Sequence, residues 1–100
     1  MHRNPTYIVL TSFTDQGVRN AKDTTKRSDA VKELAKTFGV TAKEFYWTPG
    51  SYDVVGIFEA RDDASMTALS LAIGAGGNFR TQTLRVFSRE EMNGVLAKLA

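Results

Sequence analysis

Apolar and polar positions along the chain follow two periods. Thr6-Tyr7-Ile8-Val9-Leu10-Thr11-Ser12-Phe13 is β-branched and aromatic without a charge, the profile of a strand. Thr14-Asp15-Gln16-Gly17 breaks it, and Val18 to Asp23 reads as a connector. A helical period then takes over. Val31, Leu34, Ala35 and Phe38 recur at i, i+3, i+4 and i+7 and share one stripe of a helix. Thr24 is its predicted N-cap. Gly39 follows the last stripe residue, where a left-handed C-cap is wanted.

Val40 to Thr48 returns to a strand pattern, with Lys43, Phe45 and Trp47 on one face and Ala42, Glu44 and Tyr46 on the other. Thr48-Pro49-Gly50-Ser51 has the composition of a type II turn: Pro presets a negative φ and Gly takes the positive one. Tyr52 to Ala60 follows as a third strand. Val54, Val55, Ile57 and Phe58 make it apolar on both sides, as expected of a strand covered on both faces. Gly56 within it predicts a bulge or a close approach by another group. Arg61-Asp62-Asp63 ends the strand, and either aspartate suits the N-terminus of the next helix.

That helix is predicted from about Ala64 to Ile73, with Met66, Leu69 and Ile73 as its stripe and Ala68, Leu71 and Ala72 widening it. Gly74-Ala75-Gly76-Gly77-Asn78 terminates it. Phe79 to Phe87 is a fourth strand: Leu84 and Val86 point one way, and Thr81, Thr83, Arg85 and Phe87 the other. Ser88 and Glu91 fit a capping box, and Met92, Val95, Leu96 and Leu99 give a short amphipathic C-terminal helix.

The order β-α-β-β-α-β-α predicts an α+β fold. It fits a ferredoxin-like split β-α-β sandwich with strand order 4-1-3-2 and two helices on one side of an antiparallel sheet. Residues 1–100 form one domain, with 5–88 as core and 89–100 as the C-terminal helix. The helices cover one sheet face, yet strands two, three and four carry apolar groups on both. A large bare apolar face is avoided by monomers, so a second copy is expected face to face, in a homodimer or a higher homo-oligomer. The alternative is that the C-terminal helix swings round to cover its own sheet.

Charge alters this picture little. The chain carries 13 basic and 11 acidic side chains, a net charge of +2, too small an excess to imply nucleic acid without a clustered basic face. Its densest basic patch, Lys22, Lys26, Arg27 and Lys32, is diluted by Asp23, Asp29 and Glu33 and reads as a solvated helix face. There is no cysteine, which removes disulfides and thiolate chemistry. The single histidine, His2, lies in the lead-in to the first strand, so neither a metal site nor a cofactor is expected. No apolar run approaches the roughly 20 residues of a membrane span, and no secretory signal is read at the N-terminus. A cytoplasmic location is expected.

Candidate chemistry is sparse. The glycine-rich run at 74–78 follows a helix instead of opening one, so it reads as a cap or loop and not as a phosphate cradle. In Arg80-Thr81-Gln82-Thr83, Thr81 and Thr83 share one face of the fourth strand with Arg85 two residues further on, which sets two hydroxyls and a guanidinium in a row. Such a row suits a carboxylate or small polar ligand, a partner subunit, or plain strand structure. Asp53 asks for a reason to stand at a strand start: turn hydrogen bonds, an ion pair, or proton transfer together with Tyr52. Trp47 and Tyr46 suit the wall of a cleft, or core and interface packing.

With the hairpin, Thr6-Tyr7-Ile8-Val9-Leu10-Thr11, Phe13-Thr14-Asp15-Gln16-Gly17 and Asn78-Phe79-Arg80-Thr81-Gln82-Thr83-Leu84-Arg85 in view, the chain resembles the GYD domain family from about Pro5 to its C-terminus. The family is named for a Gly-Tyr-Asp triplet in the hairpin. Tyr52 and Asp53 match, but Ser51 stands at the glycine position and Gly50 one place earlier. The resemblance implies a dimeric α+β barrel and a small cytoplasmic protein, and it lends no catalytic residue. Relatives in fold include cofactor-free monooxygenases, isomerases and effector-binding domains of amino-acid-responsive regulators. Three functions therefore stay open. The first is an oligomeric small-molecule-binding or sensing module with Trp47, Tyr52, Asp53, Arg80, Thr81 and Thr83 near a cleft at the dimer seam. The second is a cofactor-independent isomerase or monooxygenase-like enzyme. The third is an assembly protein without ligand.

Overall fold

The structure is a computed structural model and describes residues 4–99; His2 lies outside the described residues. Strands β1 (Thr6–Phe13), β2 (Val40–Trp47), β3 (Val54–Ala60) and β4 (Phe79–Val86) form one antiparallel sheet in the order β2-β3-β1-β4. This is the order expected from right-handed crossovers in an α+β, ferredoxin-like chain. Helices α1 (Asp15–Arg19), α2 (Thr24–Thr37), α3 (Asp63–Ala75) and α4 (Arg89–Leu96) complete the fold.

Helix α1 occupies residues expected to form a break and a connector. The Thr14 hydroxyl caps it by accepting from the Gly17 N–H at 3.1 Å. Gly17 is buried, and a Cβ there would collide with the Asn78 carbonyl oxygen. Only glycine lets this turn sit against the backbone entering β4. Thr24 opens α2 but does not cap it. Its hydroxyl is taken by the Trp47 indole N–H at 3.0 Å, and Asp23 stands at the cap position without a side-chain bond. Gly39 holds φ +71°, the left-handed turn that its place after the α2 stripe requires. Asp62 caps α3 by accepting from the Ser65 N–H at 2.8 Å.

The core lies between the sheet and helices α2 and α3. Tyr7 and Val9 of β1, Val40 and Ala42 of β2, and Phe58 and Ala60 of β3 meet Ala35 of α2 and Met66, Leu69 and Ile73 of α3. Burying side chains the size of Phe58, Met66 or Leu69 contributes roughly 1.5–3 kcal/mol each. The α3 stripe is narrower than the sequence predicts. Leu71 lies off the line through Met66, Leu69 and Ile73 and is 71% exposed.

Strand β2 departs from simple alternation. Its register against β3 shifts between Ala42 and Glu44, so Lys43 is the extra residue of a bulge. Ala42 pairs with Phe58, Phe45 with Gly56 and Trp47 with Val54, all on the helix side; Glu44 and Tyr46 pair with Ile57 and Val55 on the far side. The expected grouping of Ala42 with Glu44 and Tyr46 is thus corrected by the bulge. Gly56 itself shows the close approach: a Cβ there would come within 2.6 Å of the Phe58 ring.

The far face of the sheet carries Ile8 and Leu10 of β1, Val55 and Ile57 of β3, Tyr46 of β2, and Leu84 and Val86 of β4. Helix α4 does not cover it. The helix begins on the expected capping box, with the Ser88 hydroxyl accepting from the Glu91 N–H at 3.0 Å and Glu91 Oε1 accepting from the Ser88 N–H at 2.9 Å. No residue of α4 is buried, and the apolar ridge of Met92, Val95 and Leu96 continues past the helix end to Leu99, 79% exposed in the 3-10 turn that follows. The principal extents, 52 × 30 × 18 Å, describe an elongated body.

Candidate functional site

The β2–β3 hairpin closes through its backbone. Gly50 takes φ +108°, the Thr48 N–H donates to the Asp53 carbonyl at 2.9 Å, and the Thr48 hydroxyl donates to the Tyr52 carbonyl at 2.5 Å. Tyr52 and Asp53 belong to the loop and not to β3. Asp53 is tied to β1 twice: its N–H donates to the Thr11 carbonyl and its carboxylate accepts from the Phe13 N–H, each at 2.8 Å. The Tyr52 hydroxyl donates to Gln82 Oε1 of β4 at 2.9 Å, beyond the intervening β1.

The remaining predicted site residues lie elsewhere. Arg80 pairs in register with Ser12 and borders a shallow groove with Thr14, Gln16 and Gly77. Thr83 lies on the helix side, its hydroxyl 3.0 Å from that of Ser70 of α3. Thr81 and Trp47 also face the helices, and these two share a cavity. The structure brings Trp47 and Thr81 to one site and leaves Tyr52, Asp53, Arg80 and Thr83 outside it.

That cavity, about 30 Å³, lies between α2, α3 and the sheet. Its walls are mostly apolar, from Val9, Phe45, Phe58, Ile73 and Phe79, with Trp47 closing one side through its bond to Thr24. Thr11 and Thr81, partners in the β1–β4 register, bring hydroxyls to it. No ionisable side chain lines it. A groove of about 190 Å³ between α2 and α3, with Arg27 at its rim, meets the cavity at Val31, Ile73 and Phe79. Sequence reasoning missed Thr11 and Phe45 as site residues. The signal for Thr11 was its shared parity with Tyr7 and Val9, which places it on their face of β1.

At the other end of the helix side, the buried Tyr7 hydroxyl donates to Asp63 Oδ1 at 2.5 Å. Burial first, and then the bond to Asp63 and its charge, push the Tyr7 phenol up to about 12, with Arg85 acting in the opposite sense. The Arg85 guanidinium lies 5.8 Å from the Tyr7 ring centroid and 4.5 Å from that of Phe87, and 3.6 Å from Glu91 Oε2. Backbone N–H donation at the helix starts holds the Asp62 and Glu91 carboxyls below their usual range. Among the described residues, no cluster of three or more metal-ligating side chains occurs, and no helix is long and apolar enough to cross a membrane.

Comparison with known proteins places this geometry in context. Residues 7–96 match the GYD domain. A curated protein of Thermus thermophilus, named glutamine synthetase and cystathionine beta-lyase binding protein, is 35% identical over 81 residues, covering 80% of this chain and 85% of the relative. No solved structure matches the chain. A match from Tyr7 to Leu96 takes in every strand of the sheet apart from the first residue of β1, together with all four helices, and on that ground the chain belongs to the GYD domain family.

Proposed function

We propose that the protein is a homo-oligomeric binding module that hides its open sheet face against a second copy and offers the apolar stripe of α4 to a protein partner. The observation that carries this reading is the far face of the sheet, with Ile8, Leu10, Val55, Ile57 and Leu84 left uncovered by the chain's own helices. The accessible surface is 6844 Å², against about 5600 Å² for a compact monomer of this mass. The excess, roughly 1,200 Å², is more than one partner contributes to a standard-sized interface. A flat, twisted sheet face suits another such face. The narrow ridge of Met92, Val95, Leu96 and Leu99 suits a groove on a different surface.

The hairpin side chains fit this role better than that of a ligand cleft. Asp53 is occupied with backbone N–H and C=O groups of β1, and Tyr52 with Gln82. The relative's name gives enzymes as its partners. By analogy, glutamine synthetase and cystathionine beta-lyase are the first partners to try for this chain.

Sedimentation equilibrium should give a dimer or larger assembly for the wild-type chain and a folded monomer for Ile57→Asp. Immobilised glutamine synthetase or cystathionine beta-lyase from the same organism should retain the wild-type protein but not Leu96→Glu, which should still dimerise. A folded monomer for the wild-type chain would remove the self-association half of the proposal. Equal retention of wild type and Leu96→Glu would remove α4 as the docking element.

A further inference from the structure

The far face of the sheet carries two charges of opposite sign at opposite corners. Glu44 lies on β2 and Arg80 on β4, the two outer strands. Glu44 pairs with Ile57 on the far side, and Arg80, alternating with Thr81, shares that side with Gln82 and Leu84. Among the described residues neither takes part in an ion pair. The other charges nearby are engaged: Lys43 with Glu59 at 3.9 Å, and the Asp53 carboxylate with the Phe13 N–H at 2.8 Å. We propose that the second copy lies crosswise on the far face, with Arg80 of each chain paired to Glu44 of the other. The pairing rests on the far-face association proposed above and adds to it an orientation and the two residues that set it.

The register gives the geometry. Glu44, Ile57, Ile8 and Leu84 form one row across the four strands, and Tyr46, Val55, Leu10 and Gln82 form the next row of that face. Arg80 stands four positions along β4 from Leu84, about 13 Å at the rise of a strand. The outer strands lie about 14 Å apart at the usual spacing. The line from Glu44 to Arg80 therefore runs at about 45° to the strands, and its midpoint falls between Val55 and Leu10, in the apolar middle of the face.

A two-fold axis between the faces exchanges the two corners when it passes over that midpoint at right angles to the diagonal. The strands of the two sheets then cross at about 90°, one of the two common ways for sheets to stack. Because a two-fold contact makes every pair twice, one geometry satisfies both charges of both chains. The same axis runs past Leu84, 39% exposed, and sets it against the partner's Leu84. Aligned packing about an axis along the strands would instead press Glu44 onto the partner's Leu84 and leave a carboxylate desolvated against an apolar side chain.

Dimer dissociation constants from sedimentation equilibrium read the pairing. Arg80→Glu and Glu44→Lys should each weaken the dimer about tenfold or more, since each sets like charges together at both ends of the interface. The two reversals combined bring opposite charges back and should return the constant to within about threefold of wild type. Glu90→Lys, the same charge change placed on α4, should leave it unmoved. All three positions are exposed, and circular dichroism checks the fold of each variant. Should a reversal fail to fold, Arg80→Gln and Glu44→Gln decide: each should weaken the dimer about threefold by removing one partner of the pair, and unchanged constants defeat the assignment. A wild-type dimer indifferent to the reversals would overturn the crossed pairing and leave the far-face association standing. Losses that simply add in the double variant would overturn it too, as would an equal loss in Glu90→Lys. A monomeric wild-type chain would remove both the association and the pairing.

Discussion

The carboxylate of Asp53 accepts a hydrogen bond from the backbone N–H of Phe13 at 2.8 Å, across 40 residues of chain. With the Asp53 N–H bonded to the Thr11 carbonyl, the aspartate continues the β1–β3 pairing past the last residue of the strand proper. Removing the acceptor leaves a half-buried N–H unpaired, which costs about 1–3 kcal/mol. Asp53→Ala should lower the stability read from urea unfolding by that amount. Tyr52→Phe should lower it much less, because its lost partner Gln82 is exposed and solvated. Equal losses from the two would mean that the Phe13 bond does not anchor the hairpin.

Gly17→Ala should be among the more damaging single-methyl changes available. The added Cβ meets the carbonyl of Asn78, and that backbone is already fixed by the Thr14 N–H at 3.0 Å and by the Thr14 hydroxyl on Gly77. Overpacking against backbone costs about 1–3 kcal/mol. Gly94→Ala, with open space around it, serves as the control and should leave thermal unfolding unmoved or slightly raised. A Gly17→Ala chain as stable as wild type would show that α1 can leave β4 without loss.

The high Tyr7 pKa makes a directional prediction. The folded chain holds the phenolic proton more tightly than the unfolded chain, in which tyrosine titrates near its ordinary value of about 10. The stability from the buried Tyr7–Asp63 pair is therefore fully present below pH about 10 and is lost as pH rises towards about 12. Denaturant midpoints measured across that window should fall less steeply for Tyr7→Phe than for wild type. Parallel slopes would place the alkaline loss on other groups.

Helix α4 should behave as a unit apart from the core. Ser88→Ala removes the hydroxyl cap, a change of typically about 1 kcal/mol in local helix stability. Amide exchange should quicken across residues 89–96, while β1 and β3 keep their protection. A matching fall in protection of the sheet would show that α4 leans on it after all.

The reach of sequence reasoning follows from what each signal depends on. Hydrophobic period and turn chemistry are local, and they anticipated the β-α-β-β-α-β-α order, the Met66–Leu69–Ile73 stripe, the positive φ of Gly50 and the Ser88–Glu91 box. Two features escaped because they depend on groups distant in sequence. Helix α1 forms because Gly17 fits against Asn78, and Thr24 is drawn from capping by Trp47. The candidate site was legible only at Trp47 and Thr81. Its other hydroxyl, on Thr11, acquires meaning only when β4 is known to lie beside β1.

The bulge at Lys43 has a bearing on how this chain tolerates change in length. With the extra residue in place, Phe45 and Trp47 turn inward beneath α2 while Lys43 reaches towards Glu59, 3.9 Å away. Deleting that single residue would remove the bulge and leave Ala42, Glu44, Phe45, Tyr46 and Trp47 in strict alternation, with Ala42 and the two aromatic rings still on one side. Pairing Lys43 regularly instead, with no bulge, would turn over the end of β2 that carries Phe45 and Trp47, and the inner chamber would lose its indole wall. The bulge thus absorbs one surplus codon that would otherwise hand the tryptophan to the opposite surface of the sheet.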